Sequence, residues 1–137
     1  MVESGLCSKS LVDAIIAVEW NHDINYYSNI IESLSRDVHC YCIQVNTSDY
    51  GDSRITQPTK TEKKDILRTK GGTNAAVLVG KIEIAKLREF QAKTYELQKD
   101  DSMYKPTPPN FNSEAAYKKL IGQMSAEYIR KHFEKKM

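Results

Sequence analysis

The sequence predicts a mainly α fold: a small bundle of three principal helices, the first long and bent, with a short strand near residues 38–45. Three observations carry this expectation. Apolar residues recur at helical spacing from about Ser10 to Val38. A second such stripe closes the chain, from about Asn112 to Phe133. Between the periodic segments lie connectors at about 47–61 and 99–112, the first rich in turn residues and the second holding three of the four prolines, which do not continue a helix. An α+β arrangement is the alternative, because two segments also read as strands.

The elements follow in order. Val12, Ile16, Trp20, Ile24, Tyr27, Ile31, Leu34 and Val38 keep to steps of three and four, so they share one side of a helix. Asn21-His22-Asp23 bends that helix, with Asp23 as the cap of its second part. Val38–Asn46 is β-branched and aromatic and reads as a strand, which needs a pairing partner for its backbone. Thr61 caps a short helix through Leu67, and Thr73 or Asn74 caps a longer one continued by Leu87, Phe90, Thr94 and Leu97. Within it, Val77–Ile84 alternates in part, so a strand competes there. The last helix is capped by Asn112 or Ser113 and carries Tyr117, Ile121, Met124 and Tyr128 as its stripe. Its closing cations Arg130, Lys131, Lys135 and Lys136 complement the helix dipole.

The 137 residues are one domain's worth of chain, 1–137, with 40% hydrophobic residues. A chain of this size buries enough surface to fold without disulfides or metal. Three cysteines, two of them in a Cys-x-Cys pair, make a poor disulfide framework and suggest free thiols in the cytoplasm or another reducing compartment. No apolar run approaches the length of a membrane span, and Met1–Ser10 lacks the apolar stretch of a secretory leader. The net charge of +2 hides an asymmetry. Residues 1–53 carry two basic and eight acidic side chains, a net −6, and residues 54–137 carry eighteen basic and ten acidic ones, a net +8.

No catalytic constellation stands out, so an enzyme is not expected, nor is a cofactor or metal. His39-Cys40-Tyr41-Cys42 lacks a nearby second ligand pair for zinc. On a strand Cys40 and Cys42 share a face and His39 points away, which is the pattern of packed thiols. The expected function is a helical interaction or structural protein, a homo-oligomer or a partner of another protein. It would dock through apolar positions such as Trp20, Tyr27, Ile31, Phe90 and Tyr128 and through the opposite charge of its halves. The alternative is a nucleic-acid-binding accessory protein whose Lys60, Lys63, Lys64, Arg68, Lys70, Arg130 and Lys131 track phosphates. A further alternative is a small anionic ligand or nucleotide held at a subunit junction by Arg68, Lys70, Gly71, Gly72 and Thr73 ahead of a helix.

Overall fold

The computed structural model describes residues 11–72 and 75–134, of residues 132–134 the backbone alone. The architecture is α+β, not a mainly α bundle. Strand β1 (Ala14–Glu19) leads into helix α1 (Ile24–Val38) and strand β2 (Tyr41–Asn46). Strands β3 (Arg54–Thr56) and β4 (Asp65–Arg68) follow, with a 3-10 turn at Thr61–Lys63 between them. Helices α2 (Ile84–Gln91), α3 (Tyr95–Lys99) and α4 (Ser113–Glu134) complete the chain. The sheet order is β1-β2-β3-β4, with β1 parallel to β2 and the other pairs antiparallel.

The predicted first helix is therefore a strand, a turn and a helix. Steps of four residues satisfy the strand period of two as well as the helical one, so Val12, Ile16 and Trp20 do not separate the two structures. What separates them is Ile15-Ile16-Ala17-Val18, an unbroken apolar run that puts apolar residues on both faces of a strand. Asp23 caps α1 as expected, accepting a hydrogen bond from the Tyr26 amide at 3.3 Å. The predicted strand near 38–45 is β2, and it finds partners on both sides.

The middle of the chain departs further from expectation. The short helix predicted from Thr61 is one 3-10 turn followed by β4. The long helix predicted from Thr73 or Asn74 begins only at Ile84, and the two proposed caps lie outside the described residues. Residues 75–83 have neither helix nor strand structure. Gly80 explains part of this: a Cβ there would stand 2.8 Å from both Ile55 Cδ1 and Leu67 Cδ2, so the chain passes close over the sheet. Helix α4 forms as predicted, with Asn112 Oδ1 accepting from the Ala115 amide at 3.0 Å.

The two faces of the sheet are covered differently. Helix α1 packs on one face, where Ile31, Cys40 and Cys42 form a core with Ile15, Ala17, Leu34 and Val38. Both thiols sit inside this core, as their alternation predicts, and the neighbouring Cys42 together with burial pushes the Cys40 thiol up. On the other face Tyr41 packs with Leu87, Phe90 and Tyr104, flanked by Ala14, Ile66, Ile82, Ile84 and Met103. Phe90 and Ile31 are thus core residues, which removes them from the predicted docking surface.

His39 locks α1 to this second core. It takes the left-handed backbone conformation (φ 59°) that ends the helix, and its amide donates to Ser35 O. Its buried ring stacks on Phe90 at 5.7 Å and 8°. Nε2 lies 2.8 Å from Lys105 O and Nδ1 3.0 Å from Gln91 Nε2, so the neutral ring donates at Nε2 and accepts at Nδ1. Neither nitrogen is left for a metal.

Burial holds the His39 pKa below its ordinary 6.5. Below about pH 6.5 the unfolded chain takes up a proton that the folded chain refuses. Stability is therefore full above that pH and falls as the solution is acidified. Urea unfolding from pH 7.5 to 5 is expected to show this slope. His39→Asn, which tolerates the left-handed backbone, is expected to flatten it. Gly51 has φ +75°, and a Cβ there would stand 2.2 Å from Gly71 N. Gly51→Ala is expected to cost about 1–3 kcal/mol in the same assay.

Candidate functional site

Alternation along β2, β3 and β4 directs a second set of side chains toward α1, and these are polar. Arg54 is their centre. Its side chain is fully buried, with Nε 2.9 Å and Nη2 2.5 Å from Asp65 Oδ1. Nη2 also reaches Glu32 Oε1 at 3.0 Å, and Nη1 donates to Ser28 Oγ at 2.6 Å. Thr56 Oγ1 donates to the same Asp65 oxygen at 3.0 Å, and Lys64 Nζ pairs with Glu32 at 2.7 Å. Arg68 pairs with Asp52 and also donates to Ser28 Oγ at 3.2 Å. Burial alone would raise the Glu32 carboxyl; hydrogen bonds from Lys64 and Arg54 outweigh it and hold the group below its ordinary range.

A second ionic hub joins the start of β1 to the helices beyond. Asp13 receives Arg88 at 3.1 and 2.6 Å and Lys119 at 2.9 Å. In both hubs the cations come from the basic half of the chain, and of the carboxylates Asp13, Glu32 and Asp52 come from the acidic half while Asp65 belongs to the basic one. Part of the charge asymmetry is met here inside the fold, where Arg54, Lys64, Arg68, Arg88 and Lys119 pair with Glu32, Asp52 and Asp13.

At the carboxyl ends of β1 and β2 the polar layer reaches a corner built from Glu19, Asn21, Gln44, Asn46 and Asp52. The register sets Gln44 opposite Ala17 and Asn46 opposite Glu19, all on the α1 face. The Asn46 amide closes the corner: Nδ2 donates to Asn21 O and Gly51 O, each at 2.9 Å, and Oδ1 accepts from Asn21 N. Gln44 Nε2 donates to Asp52 O at 2.7 Å. Among the described residues, the buried Gln44 Oε1 and Asp52 Oδ2 have no hydrogen-bond partner, whereas the Asn21 side chain faces the Glu19 carboxylate. Burial raises the Glu19 carboxyl above its ordinary value; a hydrogen bond with the Asn21 side chain opposes this, and the Asp52 charge adds to it. No group of three His, Cys, Asp or Glu side chains gathers among the described residues.

The opposite face is apolar and partly open. Ile16, Ile43, Ile55 and Leu67 form one row across the four strands by register. The Gly80 passage covers the β3 and β4 end of this row. At the other end Ile16 is 68% exposed and Val18 80%, and Trp20 beyond them is 80% exposed. Between the two ends a cleft of ≈ 440 Å³ opens over Ile43, Val45, Ile55 and Leu67, walled by Val77 and Leu78. Among the described residues no strand pairs with the outer edge of β1.

The predicted site residues separate on this frame. Trp20 and Tyr128 are exposed and Tyr27 is partly so. Lys64 and Arg68 are engaged in ion pairs of the polar layer, whereas Lys60, Lys63 and Lys70 are exposed. Arg130 and Lys131 lie on α4, a different element. Gly71 and Gly72 precede no helix. A Cβ on Gly71 would stand 2.9 Å from Tyr50 O, and Gly72 N donates to Ser48 O, so close backbone packing accounts for the pair. Thr73 lies outside the described residues. Ile16, Val18 and the polar layer are the features that helical periodicity concealed.

Set against models of protein families, curated proteins and solved structures, the chain has no match in any of the three. No described helix is long and apolar enough to cross a membrane.

Removing the Arg54 guanidinium leaves Asp65 and Glu32 without their buried partner. Arg54→Met is therefore expected to cost about 3–5 kcal/mol in urea unfolding. Lys64→Met, at a site with solvent access, is expected to cost at most about 1 kcal/mol.

Proposed function

We propose that the protein is a self-associating interaction module whose contact surface is the outer edge of β1 and the open apolar face beside it. The observation that carries this reading is the exposure of Ile16 and Val18 on an edge strand of sequence Ala-Ile-Ile-Ala-Val-Glu. Natural edge strands are blunted by charge, proline, bulges or a covering element. This one has none of the first three in its first five residues. Among the described residues no strand pairs with its outer edge, and such an edge is a template for another strand.

A second copy of the chain fits that template. Two β1 strands related by a two-fold axis perpendicular to the sheet run antiparallel and keep their apolar faces on the same side. A register with Ile16 of one copy opposite Val18 of the other gives two apolar cross-strand pairs. An interface of standard size takes about 800 Å² from each partner, more than one strand edge provides. Helix α4 adds to it: Lys119 ties the helix to Asp13 and Leu11 at the start of β1, and Tyr117, Ile121 and Met124 are exposed along it. The exposed residues of this edge and face are apolar, so the association we propose is apolar and not ionic.

Sedimentation velocity tests this reading. The wild-type chain is expected to sediment as a dimer at micromolar concentration, with little change from low to molar salt. Val18→Lys, an exposed position, is expected to give a folded monomer. A wild-type monomer, or a dimer that dissolves in salt and ignores Val18→Lys, contradicts the proposal.

A further inference from the structure

We propose that the cleft over β2, β3 and β4 binds a single-chain amphiphile with one negative charge, of the class of a free fatty acid. Its hydrocarbon chain would lie on Ile43, Ile55 and Leu67, and its carboxylate would meet Lys70. Alternation along the strands grades the cleft from apolar to polar. Ile43, Ile55 and Leu67 form one row by register. Two residues nearer the β2–β3 connector, the same face carries Val45, Ser53 and Thr69. The Thr69 amide donates to Ser53 O at 2.9 Å, which extends the pairing of β3 and β4 to this second row. Beyond it Gly72 N donates to Ser48 O at 2.9 Å, and Ser48, Lys70 and Gly72 line the cleft at that end.

Volume and charge select the occupant. At ≈ 440 Å³ the cleft has the size of a small-molecule site, which is lined by apolar side chains with a few polar groups. Among the described residues no aspartate or glutamate lines it, and two cationic residues do, Arg54 and Lys70. The Arg54 guanidinium is engaged on the α1 face by Asp65, Glu32 and Ser28. The Lys70 ammonium has no hydrogen bond or ion pair with any described residue. The neighbouring hydroxyls are already engaged: Ser53 Oγ donates to Asn46 O at 3.2 Å and Thr69 Oγ1 to Ser53 O at 3.3 Å. One free cation without a carboxylate suits a head group of one negative charge, and an amine head would meet no counter-charge.

The wall and floor agree with a hydrocarbon chain. Residues 75–83 cross the sheet as a strap that touches Ile55 and Leu67 at Gly80 and walls the cleft with Val77 and Leu78. Among the described residues the backbone of 75–82 makes no hydrogen bond, and Leu78 is 52% exposed. A chain seated beneath the strap takes Leu78 and the Ile43 row out of water, which is the favourable term in such binding. A peptide strand gains no ladder on this floor, because β2 and β3 are already paired on both sides. No lining residue belongs to β1, so the assignment stands apart from self-association.

Isothermal titration of the full chain with decanoate, kept below its micellar range, tests the assignment, and amide NMR spectra place the ligand. One decanoate per chain is expected, bound more tightly than decanol, with the amides of Ile43, Ile55, Lys70 and Leu78 shifting. Lys70→Ala is expected to weaken decanoate about fivefold and to leave decanol unchanged, a difference that a merely structural role does not produce. Leu78→Asp, on the strap, is expected to weaken both ligands about tenfold with the circular dichroism unchanged. Lys60→Ala, in the connector between β3 and β4, is expected to change nothing. Absence of saturable binding by the folded wild-type chain at millimolar decanoate overturns the assignment. Shifts confined to Ile16 and Val18, or a Lys70→Ala variant that binds decanoate as wild type does, also overturn it.

Discussion

The buried guanidinium of Arg54 is the constraint on which the rest of this structure depends. A charge taken out of water is tolerated only when hydrogen-bonded partners surround it. Arg54 finds them on two elements: Asp65 on β4, and Ser28 and Glu32 on α1. Strands β3 and β4 are three and four residues long, too short to hold a sheet by backbone pairing alone. Their attachment to α1 is ionic where the attachment of β1 and β2 is apolar, through Ile31, Cys40 and Cys42. The planar guanidinium meets Asp65 through Nε and Nη2, Glu32 through Nη2 and Ser28 through Nη1, a spread of donors that a lysine ammonium does not supply.

This arrangement gives the charge asymmetry of the chain a structural meaning. The acidic half carries β1, α1 and β2, and the basic half carries the hairpin and the helices that close on them. Asp13, Glu32 and Asp52 each receive a cation from beyond residue 53. Folding joins the halves, so their complementarity is used within one chain. The apolar side of the sheet is then the part left incomplete: α2 and Tyr104 cover the Ala14 and Tyr41 end, while Ile16 and Val18 stay open.

Much of this was legible in the sequence, and the failures have physical causes. Asp23 as a cap, the strand at Tyr41–Asn46, the packed Cys40 and Cys42 pair, and the last helix with its Asn112 cap all follow from local rules and are found. Helix one failed at Val12–Trp20 because steps of four residues fit both periods. The stripe of Tyr117, Ile121, Met124 and Tyr128 was read correctly as periodic, but it is exposed, and Ala116 is the residue the helix buries. The Gly71-Gly72 pair resembled an anion loop; its cause is close approach to the Tyr50 and Gly51 backbone. The polar layer was invisible because Arg54-Ile55-Thr56 places its polar residues inward and its apolar one toward the opposite face. That alternation carries no sign of which face is buried.

The central claim is that a second copy of the chain covers the edge of β1. Amide hydrogen exchange of β1, followed against protein concentration, tests it most directly. The account predicts that alternate amides of Ala14–Glu19 gain protection as concentration rises, while those of β2, paired on both sides within the chain, do not change. Protection of β1 that is the same at every concentration, or fast exchange at the concentrations where the chain is dimeric, would contradict it.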